Sequence, residues 1–239
     1  TEQTNRLEAL YPGKVSGFIT DTSDEASVKH LIQTASDSFD GTFDLLVNCA
    51  GLGRMGLFTE TPDTQTMIKN NSWLTVETQA SWERLFAVNF YGPLYGCRAA
   101  LPIMVRQGSG KIVNIFSGTA FLGEPFQSVY CATKAALNLF TLCLRYEYFD
   151  TGVQICSASP GLVNTPIHAG MLTGGGNLTP REAAEGILAG AANNDRVIMP
   201  DPMEHATAIY AYHPVMGAGL DHFVNATADK RRTGSAVQY

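Results

Sequence analysis

Three side chains in the middle of the sequence have the types and spacing for proton chemistry on a carbonyl: Ser117, Tyr130 and Lys134. Tyr130 and Lys134 stand four residues apart, so a helix would put them on one face, one turn from each other. An ammonium within about 4–6 Å of a phenol favours the phenolate and lowers a pKa that starts near 10. A tyrosine tuned in that way gives or takes a proton near neutral pH. A serine hydroxyl opposite it can hold the oxygen that receives the proton.

The elements that must position this trio can be read around it. Ile112-Val113-Asn114-Ile115-Phe116 is short, apolar and rich in β-branched residues, which predicts a buried strand ending at Ser117. Gly118, Gly123 and Pro125 mark a loop, and a helix is expected from about Ser128 through Phe149, apolar on more than one face. The carboxyl end of a strand is where open α/β sheets place their chemistry.

Other segments repeat the alternation. Thr1 to Leu10 reads as the tail of an amphipathic helix closed by Tyr11-Pro12-Gly13. Val15 to Thr20 alternates as a strand ending at Asp21, and Thr22-x-x-Glu25 has the form of a capping box before Val28, Leu31, Ile32, Ala35 and Phe39. Phe43 to Val47 predicts the next buried strand, leading into Asn48-Cys49-Ala50-Gly51. Residues 52–80 carry no strong period, and so long a connection is expected to be functional or locally structured. A long helix is expected from Ser81 to Gln107, with Trp82, Leu85, Phe86, Leu94, Cys97, Leu101 and Met104 on one broad apolar face. Val153 to Ser157 predicts a strand that leads into Ser159-Pro160-Gly161 and on to Pro166. Gly174-Gly175-Gly176 suggests a hinged lid over 164–178, before a firm helix start at Thr179-Pro180-Arg181-Glu182. Arg196 to Met199 predicts a last short strand, and the remainder is expected to be part helical, fraying from Asp229. Strands alternating with helices imply an α/β fold, a parallel sheet with right-handed crossovers, in one domain over 1–239.

Ser117 followed by Tyr130-Cys131-Ala132-Thr133-Lys134 resembles the Ser…Tyr-x-x-x-Lys signature of the short-chain dehydrogenases/reductases. Four further segments match that family's order. Asn48-Cys49-Ala50-Gly51 resembles its N-N-A-G turn, with Cys49 in place of the second Asn, where small residues let a cofactor ribose approach the backbone. Asp21 resembles the acidic residue that meets the adenine. Asn89, in Val88-Asn89-Phe90-Tyr91-Gly92, resembles the helix Asn that anchors a water chain to the catalytic lysine. Pro160 and Gly161, through Val163 and Thr165, resemble the segment that meets the nicotinamide carboxamide. The resemblance covers nearly the whole chain. It implies a Rossmann-like doubly wound parallel sheet flanked by helices, and NAD or NADP as cofactor, which Tyr130 and Lys134 would also contact. Tyr130 would be the general acid or base, Lys134 its partner and Ser117 the group that orients the carbonyl oxygen, with Asn89 in the proton relay.

The family's T-G-x-x-x-G-x-G turn and second strand have no counterpart here, and with them goes the residue that separates NAD from NADP. The expectation is that the sequence starts after one strand–helix–strand unit, of about 30 residues or more. The alternative is an inactive relative kept as a structural or oligomeric partner. A third reading keeps the fold for epimerisation or dehydration.

Composition narrows the field of partners. Over 239 residues the net charge is −6 and the apolar share 45%, which argues against nucleic acid and an anionic membrane surface. Mean hydropathy is −0.01, and no run of residues is apolar enough to span a bilayer. Five cysteines without metal or disulfide spacing fit a reducing compartment, the cytoplasm, and no metal site. The long helices around 81–107 and 130–149 are broader in apolar face than one sheet can bury, which implies a homodimer or homotetramer. Phe121, Leu122, Ile167, Met171 and Leu172 would give a small-molecule substrate an apolar pocket. Glu204 and His205, His213 and His222 read as solvated or rim residues, and Cys131 as packing.

Overall fold

The computed structural model describes residues 2–71, 73–165, 178–213 and 217–234. Along the chain come α1 (Glu2–Leu10), α2 (Glu25–Asp37), β1 (Leu45–Asn48), β2 (Gly56–Leu57), α3 (Thr64–Asn70), β3 (Thr75–Val76) and α4 (Gln79–Phe86). One π turn (Ala87–Tyr91) joins α4 to α5 (Gly92–Gln107), and β4 (Gly110–Ile115) follows. Then come α6 (Ser128–Glu147), β5 (Val153–Ala158), α7 (Pro180–Ala192), β6 (Val197–Ile198), α8 (Pro202–Tyr210) and α9 (Gly217–Thr233).

The main sheet has four strands in the order β1-β4-β5-β6, every pair parallel. Parallel neighbours require crossovers, and helices supply them. One face is closed by α2, α5 and α6, where Val28, Ile32, Leu101, Met104 and Leu144 pack on Ile112 and Ile155. The other is closed by α7, whose Ile187 and Ala191 meet Val113, Cys156, Ala158 and Ile198. Alternate residues of β4 thus serve opposite layers, as period-two strands must. This is the expected Rossmann-like doubly wound architecture.

A buried polar chain pins the sheet centre. Asn114 on β4, 0% exposed, accepts from Asn48 Nδ2 at 2.7 Å and donates to Thr141 Oγ1 at 2.9 Å, tying β1 to β4 and β4 to α6. Buried amides are tolerated when both ends are satisfied.

Four expectations are corrected. Val15–Thr20 forms no strand, since no described strand beyond β1 offers it a ladder. Helix α2 is capped by Asp24, which accepts from Ala26 N, rather than by Thr22. The long helix is interrupted at 87–91: Pro93 has no N–H for the carbonyl of Asn89, and Gly92 N reaches back five residues to Ala87 O. The C-terminal part does not fray at Asp229, because α9 runs to Thr233 and buries Arg231. Segment 52–80 is locally built: β2 and β3 pair in parallel, and Leu57, Met67 and Leu74 make a small core with Trp73 and Phe126.

Candidate active site

The carboxyl ends of β4 and β5 carry the site. Beyond β4 the chain turns at Ser117, whose Oγ accepts from Thr119 N at 3.4 Å and opens a single 3₁₀ turn. The loop returns at Ser128 into α6, which brings the Tyr130 phenol near enough to Ser117 for the serine to favour its ionised form. One turn on, Lys134 is 5% exposed, with Nζ 5.8 Å from the centroid of the Tyr130 ring. Strand, loop and helix therefore bring the three predicted residues together.

The electrostatics differ from the simplest expectation. Burial pushes the Tyr130 phenol up to about 12, with Ser117 opposing the rise. Burial also lowers Lys134 from lysine's ordinary 10.5 to about 8. The ammonium donates to Ile115 O at 3.1 Å, so it is held against the strand end rather than against the phenol oxygen. Desolvation outweighs the opposing effect of Ser117, and Tyr130 stays a loaded proton donor through neutral pH.

Asn89 is 0% exposed and fully engaged. Its Oδ1 accepts from Leu52 N at 2.8 Å, and its Nδ2 donates to Leu52 O at 2.9 Å and Thr133 Oγ1 at 3.2 Å. Thr133 in turn donates to Tyr130 O at 2.7 Å. Asn89 thus ties the 48–52 turn to the helix of Tyr130 and Lys134. In that turn Ala50 and Gly51 are exposed, and a Cβ on Gly51 would stand 3.5 Å from Lys134 Nζ. Asn48 points its side chain inward, to Asn114 and Pro93 O, so only its backbone faces the crevice. Asp21 stands apart: its carboxylate accepts from Ser23 N and Oγ at 2.9 and 2.6 Å, which holds its pKa down, and it contacts none of the trio.

After β5, Pro160 is half-buried and Gly161 takes a left-handed φ of 80°. Val163 is buried and bridges Leu178, and Asn164 N donates to Leu178 O at 3.0 Å, which joins the two ends of the expected lid. Thr165 is half-buried beside them. Residues 166–177, with Pro166, Ile167, Met171, Leu172 and the three glycines, lie outside the described residues. Phe121 packs edge-on against Phe116 at 5.6 Å. A separate apolar cavity of about 280 Å³ is lined by Phe58, Trp82, Phe86, Ser128, Val129 and Ala132. Its α6 residues face away from Tyr130 and Lys134, so it backs the site rather than forming it.

Two acidic residues were not legible as site components. Glu204, read as solvated, accepts from Gly118 N at 2.7 Å and Ser159 Oγ at 2.6 Å, and burial raises its pKa. Glu124, 8% exposed, pairs with Arg231 of α9 at 3.0 Å, and Arg231 also donates to Pro125 O. That clamp fixes the loop between Ser117 and Tyr130, in which Phe126 holds a left-handed φ of 66° and bonds Gly56 N at 2.7 Å. The signals available in sequence were glycines directly after Ser117 and Pro160, which leave room for another element.

The buried ammonium tests whether a dinucleotide suits these groups. It has three donors, and among the described residues its one hydrogen-bond acceptor is Ile115 O. Two donors remain for hydroxyl acceptors such as those of a ribose, beside the open Gly51 turn. The groups fit.

The protein-family profile for short chain dehydrogenase matches residues 2–173. An uncharacterised oxidoreductase of Staphylococcus aureus is 35% identical over 185 residues, covering 77% of this chain and 73% of its own. Among solved structures, ElxO with NADP bound superposes with a TM-score of 0.68 at 25% identity, over 86% of this chain and 85% of that one. A short chain dehydrogenase/reductase from Burkholderia phymatum in complex with NAD gives 0.73 at 24% identity, over 87% and 78%. No described helix is long and apolar enough to cross a membrane.

Proposed function

The chain belongs to the short-chain dehydrogenase family and is an NAD(P)-dependent oxidoreductase, and we propose that it interconverts an alcohol and a ketone or aldehyde with Tyr130 as general acid and base. The observation that carries this reading is the buried Lys134 ammonium over the ring of Tyr130, with Ser117 acting on the same phenol. The nicotinamide cofactor, NAD or NADP, supplies the hydride when bound. Ser117 and Tyr130 hold the carbonyl oxygen between two hydroxyls. As negative charge develops on that oxygen, Tyr130 gives up its proton, a transfer downhill from a phenol near 12 to an alkoxide. Lys134 limits the cost of the phenolate left behind, and its spare donors face the cofactor turn. Asn89 keeps residues 48–52 in place for the ribose, and the backbone of Pro160, Gly161, Val163 and Thr165 borders the nicotinamide side.

The substrate is small and apolar. Phe121 and Leu122 sit on the loop between the catalytic serine and tyrosine, and Arg231 is consumed by Glu124. The Glu204 carboxylate behind the Ser117 turn disfavours anionic substrates. All five cysteines are free, which suits a cytoplasmic enzyme. Leu139, Tyr146 and Phe149, at 64%, 57% and 79% exposure, mark the outer face of α6 and its end as a subunit contact. Light scattering at micromolar concentration checks this, and a monomer refutes it.

The test of the reading is a screen of apolar ketones against small anionic keto acids with NADH and NADPH, wild type beside Tyr130→Phe. Reduction of apolar ketones that the variant lacks is expected. Equal activity in the variant, or a preference for keto acids, contradicts it.

A further inference from the structure

The loops after β4 and β5 meet at one carboxylate oxygen. Glu204 lies in the first turn of α8, three residues beyond the helix cap Asp201, which is 5% exposed and accepts from Met203 N at 2.9 Å. Its Oε1 accepts from Gly118 N, the amide immediately after Ser117, at 2.7 Å. The same oxygen accepts from the hydroxyl of Ser159 at 2.6 Å, and Ser159 is 0% exposed. The fit leaves no slack. A Cβ on Gly118 would stand 2.6 Å from Glu204 Cγ, and one on Gly161 would stand 2.5 Å from Asp201 Cβ. Each loop carries a glycine where the first turn of α8 presses on it, so the helix docks on both loops at once.

We infer that Glu204 is a positioning residue that locks the turn bearing Ser117 to the loop after β5, and so sets the place of the oxygen-orienting hydroxyl relative to the far side of the crevice. The inference rests on the reading of Ser117 and Tyr130 given above. Parallel strands β4 and β5 are joined along their length by ladder bonds, the last of them from Phe116 N to Ala158 O at 2.8 Å. Beyond that point the carboxylate continues the connection. Its role is that of an acceptor held in place, because both donors converge on the one oxygen Oε1, at 2.7 and 2.6 Å. A glutamine, which keeps a carbonyl oxygen at the same reach, therefore serves in its place.

The test pairs Glu204→Ala with Glu204→Gln and reads both structure and turnover. In Glu204→Ala, amide hydrogen exchange across 117–121 rises by about tenfold, because Gly118 N–H loses its acceptor. Its kcat for ketone reduction falls by about 10²-fold, the scale of loss for a catalytic group displaced by about 1 Å, while KM changes by less than about threefold. Glu204→Gln restores both readouts to within about fivefold of wild type. Unchanged exchange in the alanine variant, a kcat above half of wild type, or a glutamine variant as impaired as the alanine one overturns the inference. If Glu204→Ala does not fold, Ser159→Ala decides, since it deletes one of the two donors. Raised exchange at 117–121 with lower kcat supports the inference, and no change in either refutes it. A Tyr130→Phe enzyme that stays active discredits the underlying reading instead, whereas a dead Tyr130→Phe beside an active Glu204→Ala discredits only the role of Glu204.

Discussion

Replacing Lys134 with methionine is expected to inactivate the protein and to stabilise it. The ammonium is buried, and its pKa falls from 10.5 to about 8 because burial penalises the charge. At about 1.4 kcal/mol per unit, keeping it charged at neutral pH costs about 3 kcal/mol of folding free energy. Methionine fills similar volume without charge, but gives up the bond to Ile115 O, worth about 1 kcal/mol. The net gain is about 2 kcal/mol, or about 4–8 °C in Tm for a chain of this size. The sign of the pH dependence follows from proton counting. Between about 8 and 10.5 the unfolded chain holds the lysine proton and the folded chain does not, so wild-type stability rises across that window. The advantage of Lys134→Met is therefore full below about pH 8 and is gone by about 10.5. Paired urea melts of the cofactor-free proteins at pH 7, 8.5, 9.5 and 10.5 measure it. A variant less stable than wild type at pH 7, or an advantage that stays constant across the series, refutes the reasoning.

Breaking the buried clamp on the loop between Ser117 and Tyr130 should be costly. Arg231→Met removes the 3.0 Å ion pair from the buried Glu124 carboxylate and is expected to lose about 3–5 kcal/mol. The double variant with Glu124→Gln should recover part of it, as thermal melts of all four proteins in the cycle will show. Asn89→Ala removes three hydrogen bonds to Leu52 and Thr133 and should cost about 2–3 kcal/mol. It should also weaken cofactor binding by loosening the 48–52 turn, which a fluorescence titration of NADPH measures.

What the sequence made legible was whatever leaves a local or periodic trace. The β-branched run before Ser117 and the four-residue step from Tyr130 to Lys134 put strand, loop and helix where they are found. Thr179 and Glu182 form the reciprocal capping box that their spacing announces, because its partners are near neighbours in the chain. Other features depend on distant partners. Glu204 looks like a surface acid on a short helix until Gly118 and Ser159 stand against it, 86 and 45 residues away. Arg231 lies in a polar stretch that reads as a fraying tail, yet its partners are Glu124 and Pro125. The π turn at 87–91 was masked by a continuous apolar stripe, although Pro93 was in view. Val15–Thr20 has the alternation of a strand and lacks only a neighbour, which no local pattern can provide. Burial also reversed the expected pKa of Tyr130, since a spacing rule reports that a cation is near but not how much water both groups lose.

The central claim is that Tyr130 delivers the proton without contributing to cofactor affinity in proportion. Single-turnover reduction of an apolar ketone, with NADPH or NADH bound in advance to wild type and to Tyr130→Phe, tests it most directly. The account predicts a chemical step slower by about 10²–10⁴-fold in the variant, with the cofactor Kd within about threefold of wild type. A variant that turns over its bound cofactor at more than half the wild-type rate would contradict it.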